Sequence, residues 1–236
     1  MNSLIILAGG LGLRAKQKQP KQFFLLDDKK SIRLMYLQYP YLKNNTHQFD
    51  EIIIVVPSIW KSTIQNEIKK LCPITKVIEG GDNRSESSYN GLKACSSRCE
   101  NVLIHDAARP FASKELYDSC IKYLDEYDSV IPLVETKDTT IYIEPNNNKQ
   151  KGSFLNRDFV KSIQTPQAFK YKFIREAYDN KLDNKTDDLQ IMIDYYPKSK
   201  IRFIQGEDSN FKITTKKDLS IIKALYDSNN YGILYK

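Results

Sequence analysis

A chain of 236 residues, 41% apolar and 28% charged, is long enough for one large α/β domain with a sizeable core. No apolar run approaches the ~18 residues needed to cross a bilayer, and residues 4–8 lack the flanks of a signal peptide, so a cytoplasmic protein without membrane contact is expected. The net charge of +7 comes from lysines spread along the chain, densest at Lys29-Lys30, Lys69-Lys70 and Lys216-Lys217. These are not interleaved with aromatic residues, which argues against a nucleic-acid partner. Four scattered cysteines (Cys72, Cys95, Cys99, Cys120) match no zinc or disulfide framework and read as reduced thiols.

The first predicted element is a strand at residues 4–8. It runs into Ala-Gly-Gly-Leu-Gly-Leu-Arg at 8–14, followed by Pro-Lys-Gln at 20–22. Gly9, Gly10 and Gly12 let backbone N–H groups approach a ligand. Arg14 and Lys21 suit a polyphosphate. No Gly-Lys-Ser/Thr closes the loop, so it is not a Walker A loop. Gly10, Gly12 and Ala15 formally satisfy the looser dinucleotide fingerprint, but Pro20 interrupts the helix that should follow.

A helix-like segment near 31–42, kinked or ended by Pro40, precedes a strand at 52–56. An amphipathic helix is expected at 59–71, a short strand at 76–78, and a helix at 85–95 with Ser85 as N-cap. A strand at 102–105, a helix at 115–127 and a strand at 130–134 follow. This alternation predicts a mostly parallel sheet. Residues 138–143, the turn Glu144-Pro145-Asn146-Asn147-Asn148 and residues 152–155 then read as a β-hairpin. Such a hairpin is either a solvent-facing flap or a place for a second subunit to pack. Helices at 170–178 and 187–195, strands at 201–204 and 211–213, and a helix at 216–226 close the chain. Nothing divides it, so residues 1–236 are read as a single domain with an arm over 137–158.

Four further segments stand at expected strand ends, where open α/β sheets bind ligands. Gly80-Gly81-Asp82-Asn83-Arg84-Ser85-Glu86-Ser87 is a glycine turn entering a helix, suited to an anion, base or ribose and equally to an ordinary capped start. In His105-Asp106-Ala107-Ala108-Arg109-Pro110, Asp106 is a good Mg²⁺ ligand, or else a cap or a partner for Arg109. Gln164-Thr165-Pro166-Gln167 alone is a rigid polar turn. In Ser209-Asn210-Phe211-Lys212-Ile213, Lys212 points away from its apolar neighbours and could reach a phosphate. No nucleophile–base pair stands out. His47 sits in a polar stretch, and His105, ending a strand, is better placed to orient its turn than to transfer protons. An attacking phosphate monoester needs no base near neutral pH, so catalysis would rest on positioning and charge neutralisation.

Taken together, Ala-Gly-Gly-x-Gly-x-Arg with Pro-Lys-Gln, Gly-Gly-Asp-x-Arg-x-x-Ser, His-Asp-Ala-Ala-Arg-Pro and Gln-Thr-Pro-Gln resemble the sugar-alcohol-phosphate cytidylyltransferases over residues 3–219. That family makes 4-diphosphocytidyl-2-C-methyl-D-erythritol or CDP-ribitol. The resemblance implies a Rossmann-like nucleotidyltransferase fold of GT-A type with a protruding arm, acting on CTP and an alditol phosphate as a homodimer with Mg²⁺. It casts Arg14, Lys21 and Lys212 as catalytic. Ala8, Gly9, Gly10, Gly12, Gly81, Asp82 and Ser87 fall to the nucleotide. Asp106 falls to metal and substrate, and Thr139, Arg157 and Thr186 to substrate, with Thr139 and Arg157 supplied by the other subunit. Ala15 replaces a common Met, residues 138–141 lack the arm lysine, and residues 158–163 lack a frequent Trp. Methylerythritol phosphate is the favoured acceptor, with ribitol 5-phosphate or another alditol phosphate as the alternative. A sugar-1-phosphate nucleotidyltransferase or a non-catalytic nucleotide-binding protein fits the motifs less well.

Overall fold

Leu4-Ile5-Ile6-Leu7 and Ile52-Ile53-Ile54-Val55 are apolar at every position, the pattern of strands covered on both faces. In the computed structural model they form β1 (Asn2–Leu7) and β2 (Glu51–Val56), paired in parallel. The structure describes residues 1–9, 20–26, 33, 35, 48–69, 71–72, 74–144, 151–180, 184–228 and 230. Most of the helix expected near 31–42 therefore lies outside the described residues. Helix α1 (Ser58–Lys69) leads to β3 (Thr75–Glu79), and α2 (Arg84–Ala94) to β4 (Asn101–Asp106). Helix α3 (Lys114–Tyr123) leads to β5 (Ser129–Glu135). The hairpin of β6 (Ile141–Glu144) and β7 (Lys151–Phe154) follows, then β8 (Lys161–Ile163) and β9 (Gln167–Lys170). Helices α4 (Tyr171–Asn180) and α5 (Asp188–Tyr195), strand β10 (Ile201–Gln205) and helix α6 (Lys216–Asp227) complete the order.

The main sheet runs β10-β5-β9-β4-β1-β2-β3, with β8 on β5. It is mostly parallel, as expected. The exceptions are β9, antiparallel between β4 and β5, and β8, antiparallel to β5. Strand alternation divides the core. Leu4, Ile6, Ile52 and Ile54 pack with α1 and α3, whereas Ile5, Ile53 and Val55 pack with α2, α4 and α5. A smaller cluster of Leu26, Phe111, Ile213, Leu219 and Ile222 seats α6. Among the described residues, no helix is long and apolar enough to cross a membrane.

Three local expectations are corrected. Asn83, not Ser85, caps α2: its side-chain oxygen accepts the Glu86 N–H at 2.9 Å. Ser85 is instead engaged by the Lys185 backbone. Residues 211–213 are irregular rather than a strand; Ile213 N–H donates to the Ala108 carbonyl at 2.8 Å, so loop meets loop. Gln167, read as part of a turn, opens β9. The hairpin is present, but among the described residues β6 and β7 pair only with each other, and Ile141, Tyr142, Ile143 and Phe154 are exposed.

Candidate active site

Because β1 to β5 and β10 run parallel, their carboxyl ends share one edge of the sheet. Ala8 and Gly9 leave β1 there, beside the Gly80–Ser87 turn after β3. A Cβ on Gly9 would lie 3.0 Å from the Ser87 hydroxyl, and one on Gly80 2.8 Å, so glycine permits this close approach. Ser87 Oγ accepts the Gly81 N–H at 3.2 Å. Asp82 is exposed on the same turn. Gln22 donates to the Ala8 carbonyl at 2.7 Å, and buried Phe23 stacks on Trp60 at 4.6 Å. These contacts fasten the turn carrying Lys21 onto the end of β1. Gly10, Gly12 and Arg14 lie outside the described residues.

Asp106 ends β4 inside a cluster of cations. Lys212 Nζ lies 2.6 Å from one carboxylate oxygen, and Arg84 Nε lies 3.5 Å from the other. Burial alone would raise the Asp106 pKa, but the charges of Arg84, Lys212 and Arg109 together hold the carboxyl well below the usual range. Lys212 reaches this spot because the segment before it is pinned. Asn210 donates to the Thr165 carbonyl at 2.8 Å, and Arg109 donates to the Asn210 carbonyl at 2.8 Å. Arg84 also pairs with buried Asp188, Nη2 to Oδ2, at 2.7 Å. Arg84 Nη1 and Arg109 Nε are buried without a hydrogen-bond acceptor among the described residues. Such donors are costly unless a ligand supplies the acceptor.

The structure thus gathers Ala8, Gly9, Gly81, Asp82, Ser87, Asp106 and Lys212 on one edge, with Lys21 fastened beside them. Thr186 is exposed at the bend before Asp187, the N-cap of α5. Thr139 and Arg157 are exposed at the root of the arm and have no bond to the Asp106 cluster. Arg84, Arg109, Thr165 and Asp188 were not among the expected site residues. Arg84, Arg109 and Thr165 lie inside motifs that the sequence shows, whereas Asp188 carries no signal beyond its place at a helix start.

Among the described residues, no three Asp, Glu, His or Cys side chains are grouped to hold a metal ion. Asp106 is a single carboxylate flanked by cations, which fits a Mg²⁺ ion only if phosphate oxygens complete its shell. A cavity of about 320 Å³ lies elsewhere, at the amino edge, lined by Phe173, Met192, Tyr195 and Tyr196. It carries none of the expected site residues.

The sequence pattern of the 2-C-methyl-D-erythritol 4-phosphate cytidylyltransferase family matches residues 3–228. A protein of that name from Clostridium botulinum (strain Eklund 17B / Type B) is 39% identical over 226 residues, spanning 94% of this chain and 97% of its own. The crystal structure of 4-diphosphocytidyl-2C-methyl-D-erythritol synthase from Anaerococcus prevotii superposes with a TM-score of 0.79 at 31% identity, covering 96% of this chain and 98% of that one.

Proposed function

Because the chain belongs to the 2-C-methyl-D-erythritol 4-phosphate cytidylyltransferase family, we propose that it transfers CMP from CTP to 2-C-methyl-D-erythritol 4-phosphate and releases pyrophosphate. The observation that carries this reading is Asp106, clasped by Lys212 and joined through Arg84 to the glycine turn. An acceptor phosphate oxygen attacks the α-phosphorus of CTP in line. The bond from that phosphorus to the β-bridging oxygen breaks, and pyrophosphate leaves with the electron pair.

Each assigned residue has a task in that step. Backbone at Ala8, Gly9, Gly10, Gly12 and Gly81, with Asp82 and Ser87, receives the nucleotide. Arg14 and Lys21 offset the charge that grows on the α-phosphate and the leaving group. Lys212, 41% exposed at its side chain, exchanges its Asp106 partner for a phosphate oxygen. Thr186 and Asp106 orient the acceptor. When bound with the triphosphate and held by Asp106, Mg²⁺ supplies further charge neutralisation at the phosphates. No protein base is required, since the attacking phosphate is already largely dianionic. A cytoplasmic setting suits two polyanionic substrates.

We also infer a homodimer. The arm leaves Ile141, Tyr142, Ile143 and Phe154 exposed, an apolar surface of the kind a partner covers. Thr139 and Arg157 then serve the partner's site.

Pyrophosphate release with CTP and methylerythritol phosphate, ribitol 5-phosphate or glycerol phosphate tests the reaction. Methylerythritol phosphate should give the highest kcat/KM; a preference for ribitol 5-phosphate, or no release at all, overturns the assignment. Arg14→Ala should lower turnover by about two orders of magnitude with the fold retained, as loss of a charge-stabilising donor does. Circular dichroism beside the assay separates that effect from unfolding.

A further inference from the structure

We propose that Arg84 is a positioning residue that locks the acceptor segment 185–188 onto the nucleotide turn, so that acceptor capture depends on it more than CTP binding does. This rests on the reading of Thr186 as an acceptor contact. Arg84 is the first residue of α2, directly after the Gly80–Asn83 turn. Its guanidinium reaches two carboxylates from distant parts of the chain: Asp188 at 2.7 Å and Asp106 at 3.5 Å. Asp188 is fully buried, and the Tyr178 hydroxyl donates to its other oxygen at 2.6 Å. A second fastening lies one residue along α2. Ser85 Oγ donates to the Lys185 carbonyl at 2.7 Å and accepts the Lys185 N–H at 3.1 Å.

Thr186 is thereby held between two clamped neighbours, Lys185 on one side and Asp188 on the other. Both clamps originate in the first turn of α2, the turn that carries Ser87. Gln167 completes the frame: it donates to Asp187 at 2.7 Å and accepts the Leu189 N–H at 3.3 Å. With the segment fixed at both ends, Thr186 meets the acceptor in a set position, and the same guanidinium aligns Asp106 opposite it. A planar fork serves two carboxylates at once, which a lysine ammonium on a flexible stem does not reproduce.

The test uses Arg84→Lys, which keeps the charge, and Ser85→Ala, which opens the second clamp without stranding a charge. Calorimetry of CTP binding, steady-state kinetics with methylerythritol phosphate, and hydrogen exchange of residues 184–192 are read together. In Arg84→Lys, kcat/KM for the acceptor should fall about 30-fold or more while the CTP Kd moves less than about threefold, as expected when orientation rather than binding is lost. Ser85→Ala should lose about three- to tenfold in the same acceptor parameter, in line with one neutral hydrogen bond pair. Amide exchange in 184–192 should quicken in both ligand-free variants. A parallel loss of CTP affinity, or unchanged exchange in this segment, overturns the proposal. The exchange measurement needs no acceptor, so it still decides if the wild-type enzyme proves to use another alditol phosphate.

Discussion

His105 is fully buried one residue before Asp106, and its partners fix which nitrogen carries the proton. The Arg109 carbonyl can only accept, so Nε2 donates to it at 2.8 Å. Nδ1 is then left to accept from the Thr165 hydroxyl at 3.1 Å, while Thr165 Oγ1 accepts the Asp106 N–H at 3.0 Å. An imidazolium would set a second donor against that hydroxyl and break the order. Burial pushes the His105 pKa down to about 4 against these hydrogen bonds. The folded value lies below the unfolded one, so the native state excludes a proton that the unfolded chain binds. The contribution to stability is full above the unfolded pKa of about 6.5 and is lost as pH falls toward about 4. Between pH 7 and pH 5.5 the wild type should lose about 1 kcal/mol through this residue. Urea unfolding at both pH values, with His105→Gln as reference, measures it; equal losses in the two proteins would assign the titration elsewhere. The role expected from the sequence, orienting the turn after β4, is the one this geometry supports.

At the next scale, α2 owes its seat to Gly91. A Cβ there would lie 2.6 Å from Ile5 Cγ2 and 3.4 Å from Val55 Cγ2, so the helix rests almost backbone to side chain on β1 and β2. Ile5 is β-branched within a central strand and has little freedom to turn away. Gly91→Ala gains about 1 kcal/mol of helix propensity but overpacks the core by up to about 3 kcal/mol, and the 2.6 Å approach to Ile5 puts the cost at the upper end, so a net loss of about 2 kcal/mol is expected. The urea midpoint should fall. Because α2 carries Arg84 and Ser87 at its other end, kcat/KM should fall with it; an unchanged midpoint would mean that the helix slides freely. Elements of this kind were legible in the sequence. The apolar runs of β1, β2 and β4 and the stripe of α1 are long enough to state their period. Strands β8 and β9, of three and four residues, are not, and their pairing with β5 and β4 is a tertiary choice. The clamp between Ser85 and Lys185 joins residues 100 apart, so each looked like an ordinary helix start or loop residue. Motif spacing gave the edge residues such as Asp106 and Ser87, whereas the partners that hold them became visible only in the folded chain.

For the whole molecule, the proposed dimer makes each site a composite, with Lys212 and Asp106 from one chain and Thr139 and Arg157 from the arm of the other. Within one chain, Thr139 and Arg157 are exposed on the arm and make no bond to the Asp106 cluster, while the strands beside them present apolar surface. An arm that only hung in solvent would expose Phe154, at 78%, to no purpose. Complementation between two impaired chains tests the arrangement. Lys212→Ala and Arg157→Ala homodimers should each be nearly inactive, because every site carries one lesion. A heterodimer of the two, isolated through different tags, places both lesions in one site and leaves the other intact. It should therefore turn over at about half the wild-type rate per dimer, as the two-fold symmetry of an isologous pair requires. A heterodimer as inactive as its parents would mean that each chain builds its site alone. A monomer in sedimentation at micromolar concentration would remove the dimer itself, and with it any catalytic task for the arm.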